Sequence, residues 1–93
     1  MTHISNEIIL LGIQSMDQKF DTHKLIFWIM ENYPRDYINE LHDNFINNKS
    51  PYQQLHATIG RLLLQISSIQ QQGQITSINL IGKMSSNELW QKL

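Results

Sequence analysis

Four stretches of this chain space their apolar residues with the period of an α-helix. The first follows Ser5, a residue suited to cap a helix N-terminus, and the second begins at Asp21 or Thr22. The second helix is expected to stop at Tyr33-Pro34, because proline interrupts helical hydrogen bonding and disfavours a helical conformation in the residue before it. Its residues are apolar almost all round, which predicts a position at the centre of the core.

The third and fourth helices each begin with a proline signal. Pro34 suits the first turn of the third helix. The fourth begins with Ser50 as a cap, Pro51 in the first turn and Gln53 to complete a capping box. Gly73 is its predicted C-cap. The apolar stripe of this helix comprises Leu55, Ile59, Leu62, Leu63, Ile66 and Ile69.

Beyond Gly73 the helical period gives way to alternation, which indicates strands. Residues 75–81 are predicted to form one strand, residues 82–87 a turn, and residues 88–93 the returning strand. The predicted order is four helices followed by a C-terminal β-hairpin, which is a mainly α member of the α+β class. A chain of 93 residues has room for one domain with one core.

Residues 57–75 resemble the recognition helix and first wing strand of winged helix-turn-helix regulators such as the MarR and Crp-like families. In those families a Thr-Val-Ser-Arg type of start leads into leucines, and a glycine followed by an apolar residue opens the wing. The matching residues are Thr58, Ile59, Gly60, Arg61, Leu62, Leu63, Ile66, Ile69, Gly73, Gln74 and Ile75. The resemblance implies a winged-helix core over residues 20–93, a wing over residues 75–92, and an N-terminal helix within residues 1–19 as the dimer element.

The resemblance also implies that the partner is double-stranded DNA and that the chain binds it as a homodimer. The N-terminal turns of the fourth helix would enter the major groove, where glutamine can pair with adenine and arginine with guanine. Thr58, Lys49 and Lys83 would contact phosphate, and Gly60 would let the backbone approach the duplex. The predicted interface consists of Lys49, Tyr52, Gln53, Gln54, His56, Ala57, Thr58, Gly60, Arg61 and Lys83.

Charge is unevenly distributed along the chain, whose formal net charge is −1. Residues 1–48 contain seven acidic and three basic residues, whereas residues 49–93 contain one acidic and four basic residues. The second half therefore suits phosphate. The acidic first half, and Gly60 in a position where the regulators often have serine, favour an alternative: a protein-interaction module on the same scaffold, such as a phage- or plasmid-borne inhibitor of a protein complex. A structural subunit of a larger assembly is a third possibility.

Several classes of function lack their sequence signals. The chain contains no cysteine, so it has no disulfide or thiolate metal site and suits the cytoplasm. Its four histidines lack the spacing of metal ligands, and no phosphate loop, nucleophile elbow or HExxH motif is present. No apolar run approaches the roughly 18–20 residues of a membrane span. We therefore expect no enzymatic activity, no cofactor, no metal and no membrane insertion.

Overall fold

The computed structural model describes residues 1–47 and 50–93 of the chain. Its elements are α1 (Asn6–Ser15), β1 (Lys19–Asp21), α2 (Thr22–Asn32), α3 (Pro34–Asn47), α4 (Pro51–Leu63), β2 (Ile69–Ile78) and β3 (Met84–Lys92). Over these two ranges the fold is α+β, with four helices and a three-stranded antiparallel sheet. The two long strands form the predicted C-terminal hairpin, and α2 ends ahead of Tyr33-Pro34 as predicted.

The predicted N-caps of α1 and α2 form, whereas the predicted N-cap of α4 does not. The Ser5 hydroxyl accepts a hydrogen bond from the Ile8 N–H at 3.2 Å, and the Asp21 carboxylate accepts one from the Lys24 N–H at 2.8 Å. Ser50 makes no side-chain capping bond, so the predicted capping box is absent. Its backbone, with φ −128° and ψ 75°, lies away from the extended conformation that Ser5 and Asp21 adopt as caps.

β1, which lies between the first two helices, was not predicted from the sequence. It is three residues long and pairs antiparallel with β3, with Phe20 opposite Trp90. A segment this short shows no alternation of its own, because its strand conformation depends on a partner near the other end of the chain. The resulting strand order is β1-β3-β2, so β3 is central and β2 is an outer strand.

α4 is shorter than predicted, and the hairpin is correspondingly longer. The helix ends at Leu63 and β2 begins at Ile69, so the hairpin occupies residues 69–92 rather than 75–92. The Ile69 side chain is buried and its backbone pairs with β3, and these tertiary contacts override the helical spacing. Gly73 is not a helix cap: its φ of +114° lies at an irregularity in the pairing of β2 with β3.

α1 forms part of the core rather than an appendage to it. Ile9 and Ile13 are buried, and a Cβ built on Gly12 would lie 2.5 Å from Cδ1 of Leu25 on α2. The buried face of α1 therefore packs against other elements of the same chain. The buried apolar residues are Ile4, Ile8, Ile9, Ile13, Phe20, Leu25, Ile26, Ile29, Tyr37, Leu55, Ile59, Leu63, Ile69 and Trp90.

Candidate functional site

α4 buries one face in the core and exposes the opposite one. Leu55, Ile59 and Leu63 are fully buried at a spacing of four residues, which places them on one stripe of the helix. No acidic residue occurs on α4. The exposed residues of α4 and its C-cap are Gln53, Gln54, Ala57, Arg61 and Leu64.

A cleft of about 370 Å³ separates α4 from the hairpin, and we call it the α4–hairpin cleft. The buried Trp90 indole lies at its base, where its Nε1–H donates a hydrogen bond of 2.9 Å to the Thr22 hydroxyl. The cleft therefore has a fixed base between two walls that belong to different elements. The residues that line it are Thr22, His56, Ala57, Gly60, Arg61, Leu64, Gln71, Gln74, Asn87, Glu88 and Trp90.

Gly60 leaves the backbone of α4 open towards this cleft. A Cβ built on Gly60 would meet no atom within 4 Å, whereas one built on Gly12 would clash with Leu25. Glycine in a helix interior costs about 1 kcal/mol relative to alanine. Close packing requires glycine at position 12 but not at position 60. The missing side chain at Gly60 therefore affects the shape of the cleft and not the packing of the core.

Arg61 places a positive charge on the α4 wall. Its Nη2 donates a hydrogen bond of 3.0 Å to the Thr58 hydroxyl, which in turn donates to the Gln54 carbonyl at 2.9 Å. Within the part of the chain that the structure describes, Arg61 forms no ion pair with a carboxylate. The guanidinium is therefore held on the helix surface with its charge available to an anion. The Thr58 hydroxyl has its proton engaged by the helix backbone.

Glu88 places a carboxylate on the opposite wall, which sequence reasoning did not predict. Its two oxygens accept hydrogen bonds from the side-chain amides of Gln71 and Gln74, the latter at 2.6 Å. The Gln74 carbonyl oxygen also accepts a bond of 2.6 Å from the Ser86 hydroxyl. Glu88 thus fixes the orientation of both glutamine amides. Locating it required the register of β2 on β3, in which Gln74 faces Glu88.

His56, which was predicted to face DNA, connects α4 to α3, and Tyr52, also predicted to face DNA, packs against His56. The Tyr37 hydroxyl and Nε2 of His56 lie 2.7 Å apart in a hydrogen bond. Burial lowers the pKa of His56 to about 4, with a further contribution from His23, so the ring is neutral at pH 7. The Tyr52 ring packs edge-on against His56 at a centroid distance of 5.7 Å.

The structure brings only part of the predicted interface together. His56, Ala57, Gly60 and Arg61 line the cleft, and Gln53 and Gln54 are exposed on the preceding turn of α4. Lys83 is exposed in the hairpin turn, away from the cleft. That turn is ordered by Oδ1 of Asn79, which accepts from the backbone N–H groups of residues 81 and 83. Lys49 lies outside the described residues.

Two further classes of site are absent from residues 1–47 and 50–93. No group of three or more His, Asp or Glu side chains there is arranged to hold a metal ion. None of the helices in those ranges is long and apolar enough to cross a membrane. Comparison of the chain with known proteins finds no matching family model, no matching curated sequence and no matching solved structure.

Proposed function

We propose that the chain is a winged-helix protein that binds double-stranded DNA through α4 and the hairpin. One observation supports this most directly. The helix that precedes the hairpin presents an acid-free exposed face, on which Arg61 has no carboxylate partner among the described residues and Gly60 leaves the backbone open. An acid-free helix surface with an available cation suits a polyanion.

The chemistry of the exposed α4 face suits the major groove. An α-helix fits this groove, arginine pairs bidentately with guanine, and glutamine pairs with adenine. Arg61, Gln53 and Gln54 supply these groups from one side of the helix. The open backbone at Gly60 removes the side chain that would otherwise hold the helix away from the duplex. Lys83 at the hairpin turn supplies a phosphate contact beyond the groove.

The small number of cations sets the expected affinity. Each neutralised phosphate contributes a slope of about −0.9 to the dependence of log affinity on log salt concentration. With Arg61 and Lys83 as the exposed cations on these two elements, one copy is expected to bind weakly and to show a shallow salt dependence. A pair of copies on one duplex would bind more tightly, because the second contact becomes intramolecular.

The test is fluorescence anisotropy with labelled duplexes of mixed sequence, titrated at low salt. We expect Arg61→Gln to weaken binding by roughly ten-fold, within the range of about 1–3 kcal/mol for an arginine that contacts a base. Arg35→Gln is the matched control, because it removes the same charge from an exposed position on α3. Absence of binding at low salt, or equal losses in the two variants, would refute the proposal.

A second candidate function, the binding of a protein, is favoured by two features of the hairpin. Glu88 places a carboxylate on the wall of the cleft, where it repels phosphate. Ile81 and Met84 at the hairpin tip are 52% and 62% exposed, and exposed apolar side chains at such a tip suit a protein surface. Glu88→Gln separates the candidates. It should strengthen binding if the ligand is DNA, and weaken it if a basic protein surface is the ligand.

A further inference from the structure

The two edges of the sheet differ in how they are protected from other strands. β1 forms one edge; it is three residues long and contains Lys19 and Asp21. β2 forms the other edge; it is ten residues long and contains neither a charged residue nor a proline. Short length, charge and proline are the devices by which proteins keep an edge strand from pairing with another chain. β1 has two of these devices and β2 has none of them.

A β-bulge gives β2 partial protection, and only in its first half. The pairing of β2 with β3 is irregular between Gln71 and Gly73. From Gln74 to Ile78 the register is continuous. This five-residue segment is therefore a regular outer edge with backbone groups directed away from β3. Ile75 and Ile78 within it are 37% and 55% exposed. The segment has both the backbone and the apolar side chains that a partner strand would cover.

We propose that this edge pairs antiparallel with the same edge of a second copy of the chain, about a two-fold axis. In such an interface each segment faces itself, so any charged residue would meet or approach a like charge. β2 avoids this repulsion because it contains no charged residue. Its glutamine, threonine and serine side chains both donate and accept hydrogen bonds, so they can satisfy identical side chains across the axis.

The register of this pairing depends on where the two-fold axis lies. With the axis at Thr76, the central residue of segment 74–78, Thr76 lies opposite Thr76 of the second copy. Ile75 then lies opposite Ser77, and Gln74 opposite Ile78. The exposed side chains of Ile75 and Ile78 then lie beside side chains of the partner strand. The two three-stranded sheets would join into one continuous sheet of six strands.

Sedimentation velocity without DNA tests this directly, over concentrations from about 1 to about 500 µM, which span the affinities of weak interfaces. We expect the wild-type chain to dimerise with rising concentration. Thr76→Lys and Thr76→Glu should each weaken the dimer by up to about five-fold, because like charges meet at the axis. An equimolar mixture of the two variants should form a heterodimer, because the facing charges are then opposite.

Ser86→Lys is the matched control. Ser86 lies opposite Thr76 on β3, is exposed and shares its face of the sheet, but it is not on the edge. We expect this variant to dimerise as the wild type does, and circular dichroism should show that all variants remain folded. A wild-type chain that stays monomeric throughout would overturn the proposal. So would a dimer that is insensitive to Thr76→Lys, or one that Ser86→Lys disrupts equally, or a mixture without heterodimer.

Discussion

Replacing Gly60 by alanine should stabilise the fold. Gly60 lies within α4, and the added methyl group would meet nothing within 4 Å. The change therefore adds no strain, while alanine gains helix propensity and reduces the freedom of the unfolded chain. We expect the free energy of unfolding to rise by about 0.5–1 kcal/mol. In a domain of this size, 1 kcal/mol corresponds to a shift of roughly 4–8 °C in melting temperature.

Gly12→Ala is the contrasting variant within the same protein. A Cβ at Gly12 would lie 2.5 Å from Cδ1 of Leu25 and 3.0 Å from Cε3 of Trp28. Overpacking a core costs about 1–3 kcal/mol. The gain in helix propensity is roughly 1 kcal/mol, so the overpacking cost equals or exceeds it. We expect Gly12→Ala to destabilise the fold or at best leave its stability unchanged. Urea unfolding followed by far-UV circular dichroism measures both variants, because the fluorescence of Trp28 could respond to the Gly12 substitution itself.

Binding then separates a structural role for Gly60 from a functional one. If the α4 backbone approaches DNA at Gly60, the stabilised Gly60→Ala variant should bind duplex DNA more weakly than the wild type. A loss of binding together with a gain in stability cannot be attributed to misfolding. A lower stability of Gly60→Ala would refute the conclusion that a side chain at position 60 has open space around it. A gain in stability with unchanged DNA affinity would remove Gly60 from the interface.

Two further predictions concern the residues around the cleft. Thr22→Val should lower the free energy of unfolding by about 1–3 kcal/mol in urea denaturation, because it leaves the buried indole N–H of Trp90 without its acceptor; a change below about 0.5 kcal/mol would contradict this. His56 has a pKa of about 4 in the folded chain against its usual 6.5. The unfolded chain therefore binds more protons between these values, so stability should fall as pH falls from 6.5 towards 4. His56→Gln should lose less stability than the wild type over this pH range. An equal loss in the two proteins would contradict the prediction.

The features that the sequence predicted correctly are those that short-range contacts determine. Ser5 and Asp21 cap their helices through backbone N–H groups three residues away, so the relevant partners lie within one turn. The grouping of Ala57 with Arg61 on one side of α4 follows from helical periodicity alone. The α+β class could be predicted for the same reason, because all four helix starts and the C-terminal hairpin have local signals.

The features that the sequence did not predict depend on pairing between distant segments. β1 is a strand because β3 lies beside it, and α4 ends early because Ile69 joins the sheet and becomes buried there. Glu88 enters the cleft through the register of the hairpin. His56 is partly buried because its ring forms a hydrogen bond with the hydroxyl of Tyr37 on α3. None of these contacts can be predicted from the spacing of residues that are close in sequence.

The two proposals make opposite predictions for one variant, which allows them to be tested together. Thr76→Lys adds a cation near the cleft, and an added cation should raise affinity for DNA in a monomer. If the binding species is a dimer joined through β2, the same change separates the two copies and removes the gain from a second contact on the duplex. We expect the apparent affinity for a long duplex to fall in Thr76→Lys, and affinity for a duplex that holds one copy to be unchanged or higher. A rise on both duplexes would show that one copy binds alone.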